Sequence, residues 1–231
     1  MSQNQDQLKA AAAESAAVRV MDGMVVGLGS GSTAALTVNA IGKRVRQGLR
    51  IIGIPTSEAT AARAKALGIP LTTLAEVSGI DITIDGADEV EQDSLNLIKG
   101  LGGALLREKL VATATKAMVI VIDSSKLVTH LGDHDPIPVE VVPFGWETTA
   151  GRLSRLGATP VLRRNVNGEI FVTDGSHYIL DCRFQSIPSA EALAAKLDHV
   201  VGVVEHGLFI GMTSEVHAAS ADGVRVLKLR P

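Results

Sequence analysis

A chain of 231 residues, 46% hydrophobic and 20% charged, has the makeup of one generous globular α/β domain, or of one domain carrying a small appendage. Aromatic residues at 3% and a formal charge of −3 exclude stacked-base or phosphate-backbone recognition of nucleic acids, and leave any anionic ligand to local donors. The single cysteine, Cys182, excludes a disulfide framework and a thiol metal cluster, and reads as a buried, inert thiol.

The segment from Met1 to Asp22 is polar and then Ala-rich, without a signal-type apolar core, and no apolar run approaches the ~20 residues that cross a bilayer. The expectation is a cytoplasmic protein with no membrane contact. Residues 5–21 place Leu8, Ala12, Ser15 and Val18 at helical spacing. Met24 to Leu28 reads as a buried strand, the Gly-rich run 29–33 as a loop, and Ala34 to Gln47 as a helix. A strand over 50–54, an Ala-rich helix over 58–67 stopped by Gly68, and strands over 71–74 and 80–85 follow. A helix over 103–116 and a strand over 118–123 complete the pattern. Strands alternating with helices predict a mostly parallel, Rossmann-like sheet with helices on both faces.

The rhythm changes after residue 132, where prolines punctuate the chain. Strands are predicted over 139–142, 159–163, 169–173 and 177–184, with a hairpin turn at Thr173-Asp174-Gly175-Ser176 and helices over 146–156 and 189–198. This predicts a smaller α+β domain over 132–207, inserted into a catalytic domain made of 1–131 and 208–231. The strands predicted over 208–212 and 224–229 rejoin the first domain.

Four segments can carry chemistry. Gly27-Leu28-Gly29-Ser30-Gly31-Ser32-Thr33 joins a strand to a helix, so glycine lets the backbone approach a ligand while free helix N–H groups face an anion. It lacks the lysine of a Walker loop and the third glycine of a dinucleotide fingerprint. A plain turn capped by Ser or Thr is the lesser alternative. Asp85-Gly86-Ala87-Asp88-Glu89 ends a predicted strand, where ligands of open α/β sheets bind, although alone it also reads as an Asp-Gly turn. No histidine or regular ligand spacing accompanies it, so no metal is expected.

The third segment is Lys99-Gly100-Leu101-Gly102-Gly103 leading into a helix that is apolar nearly all round. Glu108 on that helix is a candidate for partial burial, which raises a carboxyl pKa toward that of a general base. Pairing with Lys99, Arg107 or Lys109 is the alternative. The fourth is Lys126 in Asp123-Ser124-Ser125-Lys126, which by itself reads as a solvated charge. The six histidines, including His130 and His134 four apart, show no ligand pattern.

Order and spacing go further than any segment alone. Gly-Ser-Gly-Ser-Thr, Asp-Gly-Ala-Asp-Glu, Lys-Gly-x-Gly-Gly-Ala-Leu-x-Arg-Glu-Lys and Ser-Lys, followed by Pro138-Val139-Glu140-Val141-Val142-Pro143, together resemble the type A ribose-5-phosphate isomerase family over nearly the whole chain. The resemblance implies interconversion of D-ribose 5-phosphate and D-ribulose 5-phosphate in the non-oxidative pentose phosphate pathway. It implies no metal or organic cofactor, and a homodimer or tetramer. It makes Glu108 the proton acceptor, with Lys99, Asp85 and Asp88 assisting. It assigns substrate binding to Ser30, Gly31, Ser32 and Thr33, to Asp85, Gly86, Ala87 and Asp88, to Lys99, Gly100, Leu101 and Gly102, and to Lys126. Ser30 and Leu101 depart from the family's frequent Thr and Gly. A non-catalytic sugar-phosphate sensor and a CoA transferase-like enzyme with a nucleophilic glutamate are the alternatives.

Overall fold

Short apolar runs at even spacing become strands when both of their faces are covered, and β6 below is the clearest case: all six of its residues are buried. The computed structural model describes residues 3–229. The chain runs α1 (Gln3–Ala17), β1 (Val25–Leu28), α2 (Ser32–Arg46), β2 (Ile52–Pro55), α3 (Glu58–Ala66), β3 (Ile82–Asp85), β4 (Glu89–Glu91), β5 (Leu97–Ile98), α4 (Leu105–Thr113) and β6 (Met118–Asp123). A 3-10 turn (Ser124–Lys126) leads to β7 (Leu127–Val128), β8 (Ile137–Val141), α5 (Trp146–Arg155), β9 (Ala158–Leu162), β10 (Tyr178–Phe184), α6 (Ala190–Leu197), β11 (Val203–His206), β12 (Leu208–Phe209), β13 (Glu215–Ser220) and β14 (Gly223–Leu227).

Six strands form the main sheet in the order β14-β13-β6-β3-β1-β2, parallel except for the β13–β14 pair. Alternate residues of β6 serve two cores. Val119 and Val121 pack with Ala12, Ala16 and Ala17 of α1 and with Val38 and Ile41 of α2, while Met118, Ile120 and Ile122 pack with Phe209, Val216 and Leu97 on the other side. The mixed α/β architecture with a parallel sheet is therefore as the sequence predicts. A second, antiparallel sheet, β11-β8-β10-β9, lies within residues 137–206 and has its own core with α5 and α6. A third small sheet, β12-β5-β4-β7, ties the two together.

Several expectations are corrected. Residues 71–74 make one bridge, Gly53 to Leu71, and residues 169–173 make one, Arg164 to Ile170, so neither is a strand. The Thr173–Ser176 turn does form, closed by Ser176 N to Thr173 O at 2.9 Å, but only its outgoing arm is a strand. The strand expected over 208–212 shortens to β12 and pairs with β5 in the third sheet; only β14 joins the main one. Helix α1 ends at Ala17, and its buried face is Ala12, Ala13 and Ala16, leaving Val18 exposed.

Ile120 is fully buried between β6 neighbours and Phe209. Ile120→Ala is expected to lower the unfolding free energy by about 2–5 kcal/mol in urea denaturation, because the site cannot collapse around the missing methyls.

Candidate active site

Four loops, three of them at the carboxyl ends of main-sheet strands and one after β5 of the third sheet, line one cavity of about 290 Å³. Ser30 to Thr33 arrive after β1, Gly86 to Asp88 after β3, Lys99, Gly100 and Gly102 after β5, and Lys126 after β6. Glu108 enters from α4. Of the residues singled out from the sequence, Asp85 and Leu101 do not line this cavity.

Asp85 lies beneath it, with 0% exposure. Its Oδ1 accepts hydrogen bonds from Ser30 N at 3.0 Å and Gly86 N at 2.7 Å, so one carboxylate fixes the backbones of two cavity loops. Gly29 is required there, because a Cβ would stand 2.2 Å from that oxygen. Asp85 thus sits beneath the cavity and supports two of its loops. Leu101 contributes through its backbone: its N–H donates to Asp88 Oδ2 at 2.9 Å.

The ammonium of Lys99 is surrounded by three oxygens. It donates to Gly86 O at 2.7 Å and lies 3.1 Å from Asp85 Oδ2 and 3.3 Å from Glu108 Oε2. Lys99 is 2% exposed and Glu108 5%, deeper than the partial burial expected. The two carboxylate oxygens meet the ammonium as ion pairs, without well-aligned hydrogen bonds. Of the three partners considered for Glu108, only Lys99 is taken up: Arg107 pairs with Glu58 and Lys109 with Glu205. Helix α4 therefore turns Glu108 and Lys109 inward and leaves Leu110 exposed.

Electrostatics separate the two carboxylates. Burial pushes the Glu108 pKa up to about 8, reinforced by Asp85 and Asp88 and opposed by Lys99. Burial also raises Asp85, but Lys99 and the Gly86 and Ser30 N–H groups all favour its charged form. For Lys99, burial works against the charge, and the carboxylates of Asp85, Glu108 and Asp88 outweigh it, holding the ammonium above its ordinary value. One cation cannot neutralise two buried anions, so the less supported carboxylate, Glu108, carries the exchangeable proton.

The anion end of the cavity is built differently. Helix α2 starts at Ser32 with Gly31 as its N-cap and no side-chain cap, which leaves the first N–H groups open to a ligand. The Ser30 hydroxyl turns away into a cluster with Thr56 at 2.7 Å and Ser57 at 2.8 Å, so it braces the loop. Lys126 stands at the rim, 3.7 Å from Asp135. Glu89, next to Asp88, is fully buried and accepts N–H groups from Gly132, His134 and Asp135, which anchors the loop carrying that aspartate.

Lys9 was missed by sequence reasoning. It is 6% exposed, lines the cavity and donates to Ser32 Oγ at 3.2 Å. The signal was present: Lys9 sits three, four and seven residues before Ala12, Ala13 and Ala16, which puts a lysine on the buried stripe of α1. Asp198, Glu205 and His206 form the group closest to a metal set among the described residues. Lys109 Nζ already lies 2.6 Å from Glu205 Oε1 and from His206 O, filling the cation position.

Fold and cavity together define the class: a Rossmann-like α/β pocket equipped to move a proton on a small anionic ligand. The ribose 5-phosphate isomerase A (phosphoriboisomerase A) family model matches residues 52–223. Ribose-5-phosphate isomerase A of Gloeobacter violaceus is 58% identical over 222 residues, covering 96% of this chain and 96% of the relative. The solved ribose 5-phosphate isomerase A of Methanocaldococcus jannaschii is 41% identical with a TM-score of 0.92, over 96% of this chain and 98% of that one. A D-ribose-5-phosphate isomerase solved in complex with phospho-erythronic acid is 35% identical with a TM-score of 0.94, over 98% of this chain and 100% of that one. The chain belongs to the ribose-5-phosphate isomerase A family.

Because the folded-state pKa of Glu108 is raised, the stability its protonated form provides is complete below about 4.5 and lost as pH rises through about 8. Glu108→Gln removes this titration, so urea denaturation should show wild type losing stability relative to the variant across that window, with the difference constant above it.

Proposed function

We propose that the chain interconverts D-ribose 5-phosphate and D-ribulose 5-phosphate through an enediol intermediate, in the non-oxidative pentose phosphate pathway, with Glu108 as the proton carrier. The observation that carries this reading is a buried carboxylate with its pKa raised to about 8, lying against a cavity whose other end is an uncapped helix start. Glu108 removes the proton from C2 of the open-chain aldose and returns it to C1. One carboxylate serves both carbons, since they are adjacent and the enediol is planar. Lys99 keeps a positive charge beside the developing enediolate; its three close oxygens make it a field source and a control on Glu108, while Gly-loop N–H groups supply direct donors.

Asp88 accepts sugar hydroxyls and assists ring opening, and Asp85 acts on the reaction through Lys99. The α2 start at Ser32 and Thr33, with Lys9 and Lys126, holds the phosphate. The relative bound to phospho-erythronic acid supports a phosphorylated sugar-derived ligand, since that acid's carboxylate has the planar pair of oxygens of an enediolate. Family membership and the retained Glu108 favour the enzyme over the sensor and CoA transferase readings. Residues 1–131 and 208–231 serve as the catalytic unit and 132–207 as the smaller one. No helix among the described residues is long and apolar enough to cross a membrane. The working form we propose is a cytoplasmic homodimer.

Formation of ribulose 5-phosphate from ribose 5-phosphate, followed with EDTA present, tests the activity; unchanged turnover in EDTA is expected. Glu108→Gln keeps the shape and removes the base, and should lower kcat by about 10²–10⁴-fold. Near-wild-type turnover in that variant would remove Glu108 from the mechanism. In the wild type, kcat/KM should rise with pH and level off above about 8, as Glu108 loses its proton.

A further inference from the structure

The inserted antiparallel sheet reaches the cavity loop through one side chain. Arg163 follows β9, and its Nη1 donates to Gly100 O and to Leu101 O, each at 2.9 Å. Its Nε donates to Asp181 Oδ2 at 2.9 Å and its Nη2 to the other oxygen of the same carboxylate, so the guanidinium is aimed from behind by an ion pair. Only 11% of the Arg163 side chain is exposed. Phe171, whose N–H donates to Arg163 O at 3.0 Å, lays its ring where a side chain at Gly103 would have to go, 2.3 Å from a Cβ built there. Arginine and ring thus clasp the two ends of one Gly-rich turn.

The peptide between Gly100 and Leu101 is held on both edges. Its carbonyl accepts from Arg163, and its N–H donates to Asp88 Oδ2 at 2.9 Å. We propose that Arg163 is a positioning residue for the isomerisation, acting from the inserted domain through the Gly100–Leu101 peptide to orient Asp88 toward the sugar hydroxyls. This rests on the reading that Asp88 and the 99–102 loop contact the sugar. A cation on the carbonyl polarises the amide and strengthens its N–H as a donor. The loop has no regular structure of its own between β5 and α4, so its carbonyls need an outside donor to be fixed. Burial raises the Asp88 pKa and the Leu101 N–H opposes it, so the peptide also helps keep Asp88 ionised.

The assignment gives the inserted domain a task in the reaction that is separable from folding. Arg163→Met keeps much of the stem and removes the donors; Arg163→Lys returns a single charged donor. In Arg163→Met, the inhibition constant of phospho-erythronic acid is expected to rise about tenfold, the loss of one charge-assisted hydrogen bond, with kcat/KM falling to match. Inhibition by inorganic phosphate, which engages the α2 end of the cavity, is expected to stay within about twofold of wild type, and the lysine variant to recover part of the loss. Unchanged affinity for phospho-erythronic acid would overturn the proposal. So would equal weakening of both ligands together with a lowered Tm, since that marks a merely structural arginine. Glu108→Gln, run alongside, separates the layers. An inactive glutamine variant beside a normal Arg163→Met sinks this inference alone, whereas an active glutamine variant sinks the reading of the site beneath it.

Discussion

A single buried ammonium stands between two buried carboxylates, and most of the cavity is arranged around that arithmetic. Lys99 lies 3.1 Å from Asp85 and 3.3 Å from Glu108, and all three are nearly or wholly out of solvent. Asp85 is further supported by two backbone N–H groups, whereas Glu108 Oε2 has no hydrogen-bond partner among the described residues. The site therefore prefers one negative charge on Asp85 and a proton on Glu108; burial makes that proton hard to remove, and Lys99 eases its loss. A carboxylate in this position is a stronger base than one in water and still ionises near neutral pH. Losing Lys99 would leave two buried acids with no cation, the costliest kind of change a buried network can suffer.

The fold secures the lysine from several directions. Its backbone N–H donates to Gly207 O at 2.9 Å, at the point where the chain comes back from the antiparallel sheet into β12. Insertion and reaction centre are thus joined at the lysine itself, and Arg163 makes a second junction a residue later. Asp85 performs the same service for the first domain, pinning the loops after β1 and β3 to one carboxylate. Most of the buried polar groups that hold these loops have a hydrogen-bond partner, while Asp85 Oδ2 and Glu108 Oε2 meet Lys99 as ion pairs only.

The parts of this organisation that follow from local chemistry were legible in the sequence. Strands β1, β2, β3 and β6 are short apolar runs between turn residues, and the loops after them carry the Gly, Ser and Asp signatures of ligand-facing turns. What escaped depends on contacts distant in sequence. β13 contains Glu215 and His217, which spoil an apolar pattern and are buried only because Arg19, Lys228 and Ser15 meet them. β4, β5 and β7 are two or three residues long and exist through pairing with each other and with β12. The stretch 169–173 has strand composition, yet Phe171 is drawn to Gly103 and the ladder stops after one bridge. Family resemblance pointed to the segments that meet at the cavity, but it did not distinguish Asp85 beneath it from Asp88 in its lining, and composition gave no hint of Lys9 beyond its place on an alanine stripe.

Burial, reinforced by Asp85 and Asp88 and opposed by Lys99, lets Glu108 hold its proton to an unusually high pH. Carbon-13 NMR of glutamate side-chain carboxyls, with Glu108→Gln used to assign the resonance, measures this in the free protein. The account predicts one carboxyl resonance, absent from the variant, titrating with a midpoint near about 8. A Glu108 resonance that titrates near about 4.5, the ordinary glutamate value, would contradict it.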